Sequence, residues 1–181
     1  MKETPVNFKY FLMTAFAVLL TFELHELCHY LVGECLGNKM AMTLNSGYPL
    51  NGFYLSDWHY TVVSAAGPLF TILQALVFYF ILRKKDNYFL YPFLFTCFFL
   101  RFSAMVISLK NPNDEARISE TLGIGTFTLP VMVSLLLYFL VHKTSRQYNY
   151  SNRFQGFTTL IVLLFYSTII LTDKYFHIRL V

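Results

Sequence analysis

The stretch TFELHELCHYLVGE, residues 21–34, places Glu23, His25, Glu26, His29 and Glu34 inside a run that otherwise reads as apolar helix. The run covers about 8–32, enough to cross roughly 30 Å of hydrocarbon, which takes about 20 helical residues. A charged side chain at mid-bilayer costs about 2.5–3.5 kcal/mol on insertion scales, so ionisable groups within a span are functional candidates by default. Glu23 and Glu34 are equally consistent with an interfacial helix end, where they reach water.

The rest of the chain supports the membrane reading. Of 181 residues, 56% are hydrophobic and 13% charged, with 20 Phe and 13 Tyr, whereas soluble domains carry roughly 25% charged residues. A single water-soluble core is excluded. The net charge of +4 does not indicate nucleic-acid binding, because the basic residues form short clusters between apolar runs. Cys28, Cys35 and Cys97 form neither a CxxC pair nor an even disulfide framework, so they say nothing of redox compartment.

Hydropathy gives five candidate spans, about 8–32, 60–82, 88–109, 126–141 and 157–173. The expected fold is therefore an all-α polytopic membrane protein forming a single domain over 1–181. RKKDN at 83–87 allows only a tight connection, which makes the second and third spans antiparallel neighbours. HKTSRQYNYSNRFQG, 142–156, reads as an exposed loop. Between the first two spans, residues 37–59 carry Asn-Ser-Gly and Asn-Gly turn signals among short alternating pieces, the pattern of a small β-hairpin at the membrane surface.

Lys2 and Lys9 ahead of an apolar stretch resemble a signal peptide, but no A-x-A-like cleavage site follows, and the run is read as a retained first span. In the five-span arrangement eight Lys and Arg lie on the N-terminal side and five opposite, with Arg101 left inside the third span. This bias favours a cytoplasmic N-terminus. The expected location is an integral multi-pass position in a bacterial cytoplasmic membrane.

His25-Glu26-Leu27-Cys28-His29 is an HExxH sequence. On a helix the two histidines lie roughly 40° apart and Glu26 roughly 60° from His29, so all three share a face. Two imidazoles there can bind one Zn2+ ion, which lowers the pKa of a coordinated water towards about 7, with Glu26 as general base and proton shuttle. Zinc binding energies on the order of 10 kcal/mol would offset the burial several-fold.

Such a site needs a third protein ligand. The end of the first span faces the end of the third, where SLKNPNDEARISE, 108–120, sits. Asp114 leads, followed by Glu115 and Glu120, while Asp86 falls on the wrong side. His59 is on the correct side, although beside Trp58 and Tyr60 it reads more simply as an interfacial residue. Ser64, Ala65, Ala66 and Gly67 allow close approach of a second helix, and Pro68 frees a backbone carbonyl. A plain helix-packing patch explains these residues equally well.

HExxH in the first span, SAAGPLFT at 64–71 and NPNDEAR at 111–117 together resemble the site-2 protease family of intramembrane zinc metalloproteases, in a minimal form without accessory domains. The resemblance covers a three-helix core over about 8–120, leaving 121–181 as two additional helices. It implies that His25 and His29 bind zinc, that Glu26 is the catalytic base, and that Asp114 matches the aspartate of the family's third motif. Gly67 and Pro68 match its GP motif, and Arg117 stands where a following arginine is common. It also implies a surface hairpin on which a substrate strand pairs. Two positions depart from the pattern. Thr71 stands where the family commonly has Asn, and Asn113-Asp114-Glu115 replaces Leu-Asp-Gly, which keeps Glu115 open as a ligand. The family's zinc usually lies towards the cytoplasm, opposite to the face that the charge count selects.

The expectation is an intramembrane zinc metalloprotease with one catalytic ion, acting on peptide bonds in or near membrane-spanning segments of a protein or peptide substrate. The alternative is a non-proteolytic membrane scaffold or transporter of the same fold. Diiron lipid hydroxylases need many more histidines than the five present, two of which are the distant His142 and His177.

Overall fold

The computed structural model describes residues 4–176 and 178–181; Lys2, Glu3 and His177 lie outside the described residues. Among the described residues six helices run in the order α1 Phe8–Cys35, α2 Asp57–Lys84, α3 Tyr91–Ile107, α4 Asp114–Thr121, α5 Thr128–Gln147 and α6 Asn152–Phe176, with β1 Met40–Met42 and β2 Gly47–Pro49 between α1 and α2. Four of them, α1, α2, α5 and α6, are long and apolar enough to cross a membrane, and α3 is a shorter apolar helix. Large side chains such as Leu69, Leu73, Phe80, Leu135, Phe139, Leu160 and Leu164 point outward, as a lipid-facing surface requires.

Local chemistry sets the helix ends. The Asn7 side chain accepts the Tyr10 amide at 2.9 Å and Ser56 accepts that of His59 at 3.2 Å, satisfying otherwise free amides of the first turns of α1 and α2. Gly37, just past α1, has φ +81°, a left-handed conformation that glycine adopts without a Cβ penalty. Pro92 opens α3, where a missing N–H costs nothing.

Two sequence expectations need correction. The polar stretch 142–156 is mostly helix, because α5 continues to Gln147 and α6 begins at Asn152, leaving only 148–151 as a turn with Asn149 at φ 52°. Polar residues on the last turns of a spanning helix extend it beyond the apolar zone. Residues 114–121, between the expected third and fourth spans and given no element there, form α4. The hairpin is present and antiparallel, pairing Met40 with Pro49 and Met42 with Gly47, but it is confined to three residues a strand, and 57–59 belong to α2.

Helices α1, α2 and α3 pack on one another, α5 leans on α2 and α3, and α6 on α1 and α3. One end of the bundle is an aromatic core of Tyr10, Tyr91, Tyr150 and Phe154, with the Tyr10 hydroxyl 2.6 Å from Thr158 Oγ1. The other end carries the hairpin. Glu34 accepts the Met40 amide at 2.6 Å, and Asp173 of α6 accepts both the Leu44 amide and the Thr43 hydroxyl at 3.1 Å. The outer edge of β1 is taken by the C-terminal segment, where Leu180 N donates to Met42 O at 2.8 Å.

Candidate metal centre

His25, Glu26 and His29 lie about 22–28 Å along α1 from its aromatic end, each at most 7% exposed. All three line a cavity of about 370 Å³ together with Arg101, Asp114, Arg117 and the hairpin residues 45–47. The HExxH spacing therefore does what helical geometry dictates and turns its three groups into one space.

Each imidazole is oriented through its Nδ1. His29 Nδ1–H donates to the Val63 carbonyl at 2.6 Å, which leaves Nε2 with its lone pair in the neutral ring. His25 Nδ1 is 3.0 Å from Thr71 Oγ1, whose hydroxyl already donates to Gly67 O at 3.0 Å, so here too Nδ1 donates and Nε2 is left free. The second helix thus fixes both rings.

The two Nε2 atoms are 3.1 Å apart, and Asp114 Oδ2 lies 3.3 Å from His25 Nε2 and 3.5 Å from His29 Nε2. Ligand atoms around tetrahedral zinc, at metal–ligand distances near 2.1 Å, are separated by about 3.4 Å. The triangle therefore fits such an ion. Two imidazole lone pairs facing each other beside a carboxylate also require a cation or protons between them. Among the described residues this is the one group of three or more His, Cys, Asp and Glu side chains placed to share a metal. Burial opposes charge on Asp114, but when protons rather than a metal occupy the triangle, the charge on His29 and hydrogen bonds from His25 and His29 outweigh it and hold the carboxyl well below the usual carboxylate range.

Gly67 lets α2 approach this closely. A Cβ there would fall on His25 Cε1 and His29 Nε2, and 2.6 Å from His25 Nε2. Pro68 follows it within α2, and Ser64, whose carbonyl loses its helical partner to the proline, lines the cavity.

The remaining acids go elsewhere. Glu115, 3% exposed, accepts Arg101 Nη1 with both carboxylate oxygens at 3.2 Å. Glu120 accepts the Thr126 hydroxyl and Asp86 that of Tyr150. His59 lies 3.3 Å from the Asn38 side chain and does not line the cavity. Arg117 lines it, with Nε donating to Pro112 O at 3.0 Å and its guanidinium over the Tyr60 ring. Glu34 binds the hairpin, and Glu23 is not among the residues lining the cavity.

In the sequence Arg101 is only a charge inside the third span. Its Nη1 is 3.3 Å from Asp114 Oδ2 and its Nη2 3.4 Å from His25 Nε2. The cost of placing arginine in a span was the available signal.

No family model, curated protein or solved structure matches the chain.

Proposed function

We propose that the protein is an intramembrane zinc metalloprotease of site-2 protease type, hydrolysing peptide bonds in or near membrane-spanning segments of protein or peptide substrates, in a membrane such as the bacterial cytoplasmic membrane. One observation carries the reading: His25 Nε2, His29 Nε2 and Asp114 Oδ2 converge within 3.5 Å in the cavity that Glu26 also lines. His25, His29 and Asp114 would hold the ion.

A zinc ion there would supply Lewis acidity and make water acidic enough to ionise near neutral pH. Glu26, three residues before His29 and buried in the same cavity, takes a proton from the attacking water and returns it to the leaving amine. Thr71 and the Val63 carbonyl keep the imidazoles in the tautomer that presents Nε2. Gly47 of β2 packs on α1 beside His29, so a substrate segment lying along the hairpin would pass the cavity in extended form. Such a segment must unwind, because a helix hides its carbonyls from attack.

The reading as a non-proteolytic scaffold or transporter rests on Arg101, whose cation neutralises Asp114 at 3.3 Å and can hold the cluster together without a metal. Two measurements separate the readings. Purified wild type is expected to contain one zinc per chain and the His25→Ala variant far less, while metal in neither refutes the protease. Wild type is expected to cleave a model transmembrane substrate in liposomes and Glu26→Gln to retain zinc but lose cleavage; equal cleavage by both removes Glu26 from the reaction.

A further inference from the structure

The geometry points to Arg101 as a further catalytic residue, whose Nη2 donates to the carbonyl oxygen of the substrate as negative charge develops on it, with Glu115 holding the guanidinium in place. The assignment rests on the hydrolytic reading above. Arg101 sits on α3, is 5% exposed, and lines the cavity. Its Nη1 is committed to both oxygens of Glu115 at 3.2 Å and to Asp114 Oδ2 at 3.3 Å. Its Nη2 faces His25 Nε2 at 3.4 Å, the lone pair that the metal reading assigns to zinc. With that lone pair engaged, Nη2 is a charged donor left beside the reacting centre.

The chemistry needs such a donor. When water adds to the carbonyl carbon, a C–O bond forms, the π pair moves onto the carbonyl oxygen, and the proton released from water passes to Glu26. The carbonyl then re-forms, the C–N bond breaks, and the departing nitrogen takes the proton from Glu26, giving a carboxylic acid and an amine. The oxygen carries a full charge between the two stages, and a fixed cationic N–H lowers that barrier most where water is excluded.

Other candidates are already occupied. Thr71, which stands where the family commonly has Asn, accepts from His25 and donates to Gly67 O. Arg117 also lines the cavity, but its Nε is tied to Pro112 O and its guanidinium lies over Tyr60. Glu115 explains how a positive group survives at this depth, since a buried ion pair persists when its hydrogen bonds are made.

The test uses the full chain in detergent or liposomes, with the variants R101K and R101Q and the double variant R101Q/E115Q, which removes both charges together. Co2+ uptake is measured first, then inorganic phosphate is titrated against the Co2+-loaded protein and followed by its visible spectrum. Finally kcat and KM are measured on the zinc form with a model transmembrane peptide. Expected are one metal per chain throughout, phosphate binding weakened at least about tenfold in both glutamine variants, and kcat lowered about 100-fold with KM within about threefold. R101K should recover part of both. Unchanged phosphate affinity and kcat would overturn the assignment, as would metal loss in all three variants, which would make Arg101 a strut for Asp114. Wild type that binds phosphate through Arg101 yet cleaves nothing would remove the protease reading and leave the anion site. Wild type that takes up no Co2+ overturns both.

Discussion

Thr71 Oγ1 stands 3.0 Å from His25 Nδ1 while its own hydrogen is given to Gly67 O, so one hydroxyl fixes both the tautomer and the direction of a ring 46 residues earlier in the chain. Losing such a partner typically costs 10–100-fold in metal affinity. Thr71→Val is therefore expected to weaken zinc binding by about that factor and Thr71→Ser to leave it nearly unchanged. Competition with a chromophoric chelator measures this, and equal affinities in all three proteins would exclude an orienting role.

Gly67→Ala places a methyl group on the two imidazoles. Overpacking of this kind costs about 1–3 kcal/mol and forces the helices apart, so the variant should lose both thermal stability and zinc. Gly33→Ala is the control: its added carbon meets Met40 Cγ and Sδ at 2.6 Å, an overpacking that falls on the hairpin and not on the imidazoles. Zinc content of the two variants should diverge, with Gly33→Ala retaining its metal even where its unfolding temperature falls.

Adjacent acids on α4 have separate tasks. Asp114→Asn should lose most of the zinc while Glu115→Gln keeps it, because Asp114 meets both imidazoles as well as Arg101, whereas Glu115 is placed on Arg101 and not on the imidazoles. Removing one partner of a buried ion pair costs about 3–5 kcal/mol, so Glu115→Ala should be the less stable protein in a denaturation series. A Glu115 variant that stays as stable as wild type would contradict the pairing.

Asp173→Asn loosens the hold of α6 on the hairpin turn, since one carboxylate accepts both Leu44 N and Thr43 Oγ1 at 3.1 Å. Each such bond contributes about 1 kcal/mol, more when the acceptor is charged. Backbone amides of residues 43–47 should exchange with deuterium several-fold faster, with zinc content unaltered. Unchanged exchange there would mean the turn is held by its own strands.

The five apolar helices were legible because hydropathy over a span is a strong, local signal. Helix α4 was not, because DEARISET has eight residues and no apolar stripe long enough to register against a loop. The 142–156 stretch misleads for the reverse reason, because its polar residues mark the end of the apolar zone and not the end of the helices. The convergence of His25, His29 and Asp114 could be anticipated from helix periodicity and the order of the spans. Arg101 and Thr71 could not be assigned, since their roles depend on which atoms of other helices they meet.

Helix α3 has 17 residues and rises about 26 Å, whereas α1 and α2, at 28 residues each, reach about 42 Å. The short helix carries Arg101 and leads through 108–113 into Asp114. Asp114, at the end of that short path, meets α1 at His25, ten residues and about 15 Å before α1 ends at Cys35, so the length of α3 fixes how far inside the bundle the candidate centre lies.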